Sequence, residues 1–305
     1  MDFELTEDQK MFQAMVRDFC AAEIAPHAAE WDEKNEFPHD VIKKMAAAGL
    51  NGVHFPEEYG GSGDEVTFAI ATEEIARACA GISVVYLVSL GLGMYPIVMH
   101  GNEQQKKHYI PRVIDGAIVA FGLTEAMAGS DVAAMETKYA RDGDHYVLNG
   151  QKIFISNGAE AEIVTTFATK DKSLGYRGIS AFVVDRGTKG FSVGKLERKM
   201  GLHPASVTEL IFDDCKIPAA NMLGEEGKGF RVALEGIDAS RVSIAAQALG
   251  IAQAAYDAAV AYAKERKQFG AEIARLQAIQ WMIADMATEI DAARLLVYRG
   301  AWLTK

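Results

Sequence analysis

Apolar side chains recur at helical spacing over most of this chain and at every second position through its middle. Thr6-Glu7-Asp8-Gln9 has the form of a capping box, and Phe12, Met15, Val16, Phe19 and Cys20 follow at i, i+3, i+4 spacing. A first helix is therefore predicted, which Pro26 ends or kinks. Pro38 starts a second, with Val41, Ile42 and Met45 as its stripe and Gly49 as its C-cap. Gly60-Gly61-Ser62-Gly63 is a loop, and another helix runs from about Glu65 to Ala80. Asn102, with Gln105 three residues on, begins a helix reaching about Ile114. Residues 1–116 are expected to form an all-α domain.

Inside that region Gly81–Gly101 has no formally charged residue, a length that raises the question of a membrane span. Ser83, Ser89, Gly91, Gly93 and Pro96 interrupt it and no basic flank follows, so a helix buried among helices is expected, without membrane insertion.

From Ala117 to about Ile217 the period becomes two. Strand-like runs are Ala117–Leu123, Tyr139, His145–Leu148, Lys152–Ile155, Ile163–Phe167, Ile179–Val184, Phe191–Val193 and Leu210–Phe212. Asp142-Gly143, Asn149-Gly150, Asn157-Gly158, Arg186-Gly187 and Lys189-Gly190 supply turn signals between them. This spacing favours an antiparallel sheet or barrel over βαβ units, assigned to residues 117–228. No G-x-G-x-x-G follows a strand and no Walker A sequence exists, which removes Rossmann and P-loop readings.

The helical period returns at Gly229. Ala245, Ala246, Ala248, Ala252, Ala255, Ala258 and Ala259 make one helix small-sided almost all round, suited to close packing within a subunit or across an oligomer interface. Arg266-Lys267-Gln268-Phe269-Gly270 breaks it, and Leu276, Ile279, Ile283, Met286, Ile290 and Ala293 form the stripe of a further bundle helix. Two long helices with broad apolar faces call for more helices to cover them. The domain over residues 229–305 is thus expected to be an incomplete bundle, cut short at Lys305 or completed by a partner chain. The fold class is α+β: an all-α domain, a middle antiparallel β-domain and a C-terminal α-helical bundle.

Composition narrows the function classes. The 305 residues carry a net charge of −11, which argues against nucleic acid and anionic membranes but not against small anionic ligands. Cys20, Cys79 and Cys215 are far apart without zinc spacing and read as buried, reduced thiols. Met1-Asp2-Phe3-Glu4 has no basic n-region or apolar h-region, so no signal or transit peptide and a cytoplasmic location are expected. His54, His100 and His108 show no paired ligand spacing, so no metal is expected.

The stretch with most chemistry is Phe121–Asp131. A hydrophobic strand runs there into Thr124, Glu125, small side chains, Gly129 and Ser130, a loop whose backbone N–H groups and hydroxyls suit an anion. An ordinary Gly/Ser turn has the same appearance. Glu125 reads as a structural hydrogen-bond acceptor rather than a base. Phe154 alone reads as sheet core, Arg266 as a cation near a helix C-terminus, and Asp238 with Arg241 as an i, i+3 surface pair.

Thr124-Glu125-x-x-Ala128-Gly129-Ser130-Asp131 between a helical and a β-domain resembles the acyl-CoA dehydrogenase family. So do Asn149-Gly150-Gln151-Lys152-Ile153-Phe154-Ile155-Ser156-Asn157-Gly158, Gly227-Lys228-Gly229-Phe230, Asp238 with Arg241, Glu265 to Gly270, and Gln277. The resemblance extends from Leu5 to Lys305. It implies a flavoprotein oxidoreductase of fatty acid β-oxidation, a homotetramer (dimer of dimers), with FAD as cofactor. Such enzymes convert an acyl-CoA thioester to the trans-2-enoyl-CoA and pass electrons to an electron-transfer flavoprotein.

Carried over by residue, Phe121, Leu123, Thr124, Gly129 and Ser130 line the flavin and its pyrophosphate, and Ser130 also meets substrate. Phe154 packs on a flavin face, flanked by Ile155, and Ser156 offers a hydroxyl. Asp238, Ala239, Ser240 and Arg241 contact the CoA moiety of the substrate. Arg266, Gln268, Phe269 and Gln277 reach the FAD of a neighbouring subunit. Ala126 stands where proline is frequent, Phe154 replaces a frequent tryptophan, and Ser156 a frequent threonine. The family's base is a glutamate, expected beyond Lys305 or, in a minority, at the position of Ser240. Serine does not serve there unaided, so no catalytic base is assigned and this chain alone is expected to be inactive. The alternative is a non-catalytic FAD- or CoA-binding subunit. The wording around Lys152–Ser156 leans towards short-chain, butyryl-CoA-like substrates.

Overall fold

The first helix starts where its capping box is written. In the computed structural model, which describes residues 4–304, α1 (Glu7–Glu23) has Gln9 N donating to Thr6 Oγ1 at 3.2 Å and Thr6 N donating to Gln9 Oε1 at 3.0 Å. Met1, Asp2 and Phe3, on which the expectation of no leader partly rests, and Lys305 lie outside the described residues. Between the two prolines stands α2 (Ala28–Lys34), a helix too short to leave a periodic stripe, ended by Asn35 in the left-handed region. The stripe of Val41, Ile42 and Met45 belongs to α3 (His39–Ala47), followed by Gly49 at φ 78°.

The helix expected to reach Ala80 ends earlier, as α4 (Glu65–Ala78), because Cys79 is extended at φ −157° and ψ 110°. The uncharged stretch is not one regular helix. It comprises α5 (Ala80–Leu87), a π-helical turn over Val88–Leu92 and α6 (Tyr95–His100). Its length and apolarity match those of a membrane span, yet 78% of its most apolar window is buried inside the protein. The last helix of this region, α7 (Glu103–Ile114), carries the Asn102–Gln105 capping box.

The sheet contains β1 (Val119–Gly122), β2 (Lys138–Asp142), β3 (His145–Ser156), β4 (Ile163–Thr169), β5 (Ile179–Asp185), β6 (Phe191–Leu196), β7 (Val207–Pro218) and β8 (Met222–Leu223). Its order is β6-β7-β3-β2-β4-β5-β8, with β1 on β4. Most neighbours are antiparallel, as the turns predict, but β1 runs parallel to β4 and β2 meets β4 in parallel at Lys138 and Thr169. It enters from the helical domain rather than through a hairpin. Asn149-Gly150 is no turn: both lie inside β3, where Gly150 at φ 149° forms a bulge against β7 and abuts Thr137. The two runs on either side of it are therefore one strand. Ile163, Phe167, Ala181 and Val183 face the helices, whereas Val164, Ala168, Phe182 and Val184 face a second core within the sheet.

α8 (Gly229–Glu265) and α9 (Gln277–Leu303) flank a small hairpin of β9 (Lys267–Gln268) and β10 (Ala271–Glu272). Gly250 lets α8 cross α4 backbone to backbone, since a Cβ there would lie 2.2 Å from Glu73 O. Ile279, Ile283, Met286 and Ile290 are half-buried as their stripe requires, but the inner face of α9 continues through Val297 and Ala301 instead of Ala293. Leu276 precedes the helix and is exposed.

Candidate functional site

β1 ends in the loop at 123–131, and that loop is held by a buried charge pair. Lys152 is fully buried and its Nζ donates to Glu125 Oε1 at 2.6 Å and to Leu123 O at 3.3 Å. Glu125 also accepts from the backbone N–H of Thr137 at 3.1 Å and of Glu136. Its backbone closes a two-way bridge with Ala128, at 3.0 and 3.1 Å. Burial lowers the Lys152 ammonium to about 8, with Glu125 opposing the shift. Burial works against the charged form of Glu125, but Lys152 and the N–H donors outweigh it and hold the carboxyl below its ordinary range. The pair is ionised at neutral pH. Glu125 is thus the structural acceptor expected, and Lys152 is a residue that sequence reasoning passed over. Its only signal is a lysine at an inward position of an alternating strand.

This anchoring turns Gly129 and Ser130 outward. Both are exposed, and a Cβ built on Gly129 would meet nothing within 4 Å. The fold itself makes no demand for glycine there, which leaves room for a ligand to approach the backbone. Phe121 and Leu123 are buried beneath the loop, with Phe121 edge-on to Phe167 at 5.1 Å, and Thr124 is half-buried.

Ile153 N donates to Thr124 O at 2.9 Å, laying β3 alongside the loop. At this point β3 bulges against β7 between Lys152 and Ile155. Phe154 adopts φ 58° and is 61% exposed. The sheet-core reading of Phe154 is therefore wrong: Ile155 turns inward and Phe154 is pushed out in a backbone region that costs about 1–3 kcal/mol for a non-glycine residue. Ser156 is half-buried beside it, and the hydroxyls of Thr124, Ser130 and Ser156 have no hydrogen-bond partner among the described residues. An exposed aromatic ring, free hydroxyls and an open glycine loop lie together along one edge. They fit a planar, phosphate-bearing group.

The other expected residues lie apart. On α8, Ser240 is buried with Oγ donating to Ile237 O at 2.8 Å, and Ala239 is half-buried. Asp238 and Arg241 form the i, i+3 surface pair at 3.3 Å, both largely exposed. Arg266, Gln268, Phe269 and Gln277 are all exposed; Phe269 and Gly270 form the hairpin tip with φ 53° and 79°. Arg266, the extended C-cap of α8, lies 25 residues beyond Arg241, roughly 38 Å along the helix axis.

Family models for acyl-CoA dehydrogenase match in chain order: the N-terminal domain over residues 6–117, the middle domain over 120–215 and the C-terminal domain over 227–305. The chain belongs to the acyl-CoA dehydrogenase family. It is 47% identical to the short-chain specific acyl-CoA dehydrogenase of Clostridium acetobutylicum over 99% of this chain and 80% of that relative. It superposes with TM-score 0.96 on butyryl-CoA dehydrogenase from Megasphaera elsdenii, at 43% identity over 99% of this chain and 80% of the other. A chain in a structure described for the electron transferring flavoprotein of Acidaminococcus fermentans matches with TM-score 0.98 and 48% identity, covering 100% and 80%. FAD is the cofactor of this acyl-CoA dehydrogenase family, and the edge formed by the loop and the Phe154 bulge has the chemistry to hold it.

Proposed function

We propose that this protein dehydrogenates a short-chain acyl-CoA thioester to the trans-2-enoyl-CoA and passes the electrons to an electron-transfer flavoprotein. The observation that carries this reading is the outward, left-handed Phe154 beside the Thr124–Ser130 loop. When bound, FAD supplies the hydride acceptor. Phe154 covers one face of the ring and Ser156 offers its hydroxyl to the ring edge. The Gly129–Ser130 backbone cradles the pyrophosphate, and Thr124 lies with Leu123 nearest the ring. Leu123 and Phe121 close the apolar side and keep water out. Asp238, Ala239, Ser240 and Arg241 receive the CoA thioester, and hydrogen bonds to its carbonyl acidify the α-carbon.

Arg266, Gln268, Phe269 and Gln277 serve the FAD of a neighbouring subunit in a homotetramer. Arg266 at the end of α8, the exposed hairpin of Gln268 and Phe269, and the exposed Gln277 that opens α9 support a role towards a neighbour. Likeness to the short-chain enzymes from Clostridium and Megasphaera supports butyryl-CoA as the substrate class. Likeness to the chain associated with electron transferring flavoprotein supports the acceptor.

Ser240 favours a second reading, a non-catalytic FAD- and CoA-binding subunit, because a serine donating to Ile237 O is no proton acceptor. The deciding experiment is FAD uptake followed by turnover of the native protein with a panel of acyl-CoA thioesters and an artificial electron acceptor. This chain alone, in which no base is assigned, is expected to bind FAD without turnover, and measurable turnover by it overturns that expectation. A yellow protein that prefers butyryl-CoA supports the first reading. FAD and CoA binding without turnover supports the second, and a preference for long chains overturns the substrate assignment.

A further inference from the structure

One side chain joins the strand that ends at Phe154–Ser156 to the uncharged helical stretch. Asn157 is completely buried at φ 63°, and its Nδ2 lies 3.2 Å from each of three acceptors: Val85 O, Ser89 Oγ and Val119 O. Two of these are carbonyls, so the amide can stand only with its NH2 towards them. Oδ1 is left buried without a partner among the described residues, a cost retained at this position. Ser89 Oγ accepts in turn from Val119 N at 3.2 Å.

The segment that Asn157 grips is the irregular one. Gly93 N donates to Val88 O at 2.8 Å, the i+5 bond of the π-turn, while Thr165 Oγ1 donates to Gly93 O at 2.8 Å. Gly93 has no room for a side chain, since a Cβ would sit 2.7 Å from Val119 Cγ1. The π-turn is thus fastened to β1, β4 and the β3 end by side chains. A π-turn of this kind often marks a functional site.

α8 passes the other side of that segment in the opposite direction. Gly236 packs on Pro96 and Tyr95, and Gln247 Nε2 donates to Ser83 Oγ at 2.8 Å. Between these two anchors residues 237–246 of α8 pass the stretch around the π-turn, with Ser240, Ser243 and Ala246 buried and Asp238 and Arg241 exposed. We propose that Asn157 is a positioning residue that couples the flavin-facing end of β3 to the π-helical segment at Val85–Gly93, so that order imposed on one is transmitted to the other. This rests on the functional reading above for what the end of β3 faces; the clamp itself does not.

The test is amide hydrogen exchange of the whole chain, with and without FAD, for wild type, Asn157→Gly and Asn157→Asp. Glycine keeps the left-handed backbone and removes the amide; aspartate keeps the size and removes the donors. In wild type, FAD is expected to slow exchange across residues 85–93 as well as 121–130, by about threefold or more. Both variants should retain FAD and the protection of 121–130. They should lose the FAD-dependent protection of 85–93, and exchange there should rise about tenfold in the FAD-free protein, the scale of one lost buried hydrogen bond.

Ser89→Ala removes one acceptor without backbone change. It should shift exchange in the same direction, and it decides the matter if the Asn157 variants do not fold. Retention of FAD-dependent protection at 85–93 in the variants overturns the proposal. So does a variant that loses FAD binding while exchange at 85–93 in the FAD-free protein is unchanged. A wild type that takes up no FAD overturns the functional reading instead, and the FAD-free comparison then decides the clamp.

Discussion

Three side chains show how burial and backbone geometry reassign what a residue does. Removing Lys152 leaves the Glu125 carboxylate charged and buried, so Lys152→Met is expected to cost about 3–5 kcal/mol in urea unfolding. Adding Glu125→Gln should recover part of that, giving a coupling of about 1 kcal/mol or more; strictly additive losses would refute the pairing. Phe154 behaves in the opposite way. Because its ring is exposed and its backbone left-handed, Phe154→Gly should leave unfolding stability within about 1 kcal/mol of wild type while weakening FAD binding about tenfold or more. A large stability loss with unchanged FAD affinity would return Phe154 to the core.

The third side chain is Glu65. Burial raises it to about 7, against Tyr95 O–H, which donates at 3.2 Å. His54, fully buried 3.2 Å from the same carboxyl but poorly aligned to it, is lowered by burial to about 4. The raised Glu65 contributes stability that is lost as pH rises from about 4.5 to 7; the lowered His54 contributes stability that is gained from about 4 to 6.5. The two oppose each other through the shared window. Glu65→Gln removes only the first, so relative to wild type the variant should gain about 1–2 kcal/mol between pH 5 and 6.5. Unfolding midpoints at the two pH values check the sign.

At the scale of elements, close approach decides where helices and strands sit. The crossing of α4 and α8 depends on Gly250, and Gly250→Ala is expected to cost about 2 kcal/mol although alanine is the better helix former. A thermal midpoint unchanged from wild type would show that the helices separate at little cost. Asn149-Gly150 looks like a hairpin signal because such pairs favour positive φ, and Gly150 does adopt it, but within a strand whose partner β7 continues past the bulge. The local conformation was legible and the pairing was not. The interruption at Val88–Leu92 likewise follows from contacts of Ser89 and Gly93 with Asn157, Thr165 and Val119 on other elements. No pattern within residues 81–101 announces it.

The whole molecule presents an uncovered apolar face on its C-terminal helices. Trp281, Met282, Leu295, Leu296, Trp302 and Leu303 on α9, and Leu234, Ile244 and Ile251 on α8, are exposed. Scattered exposed leucines are ordinary, but a run of this size along two helices marks an association surface. Sedimentation velocity should show concentration-dependent assembly, and Leu296→Asp with Trp302→Ser should shift it towards the monomer; monodisperse wild-type monomer would refute this. The Phe269 tip projects from the same end of the molecule as the C-terminus of α8, consistent with its proposed reach into a neighbour.

Sequence by itself determined what depends on neighbours along the chain. Caps at Thr6 and Asn102, left-handed glycines, the change of period near Ala117 and the Thr124–Asp131 loop are written in residues a few positions apart, where backbone sterics and local hydrogen bonds dominate. Tertiary structure alone decided the parallel pairing of β1, the outward turn of Phe154, the burial of Lys152 against Glu125 and the grip of Asn157 on Val85 and Ser89. Each of these depends on an atom contributed from 27 or more positions away, as for Lys152 and Glu125, or on a strand partner whose register the local pattern does not specify.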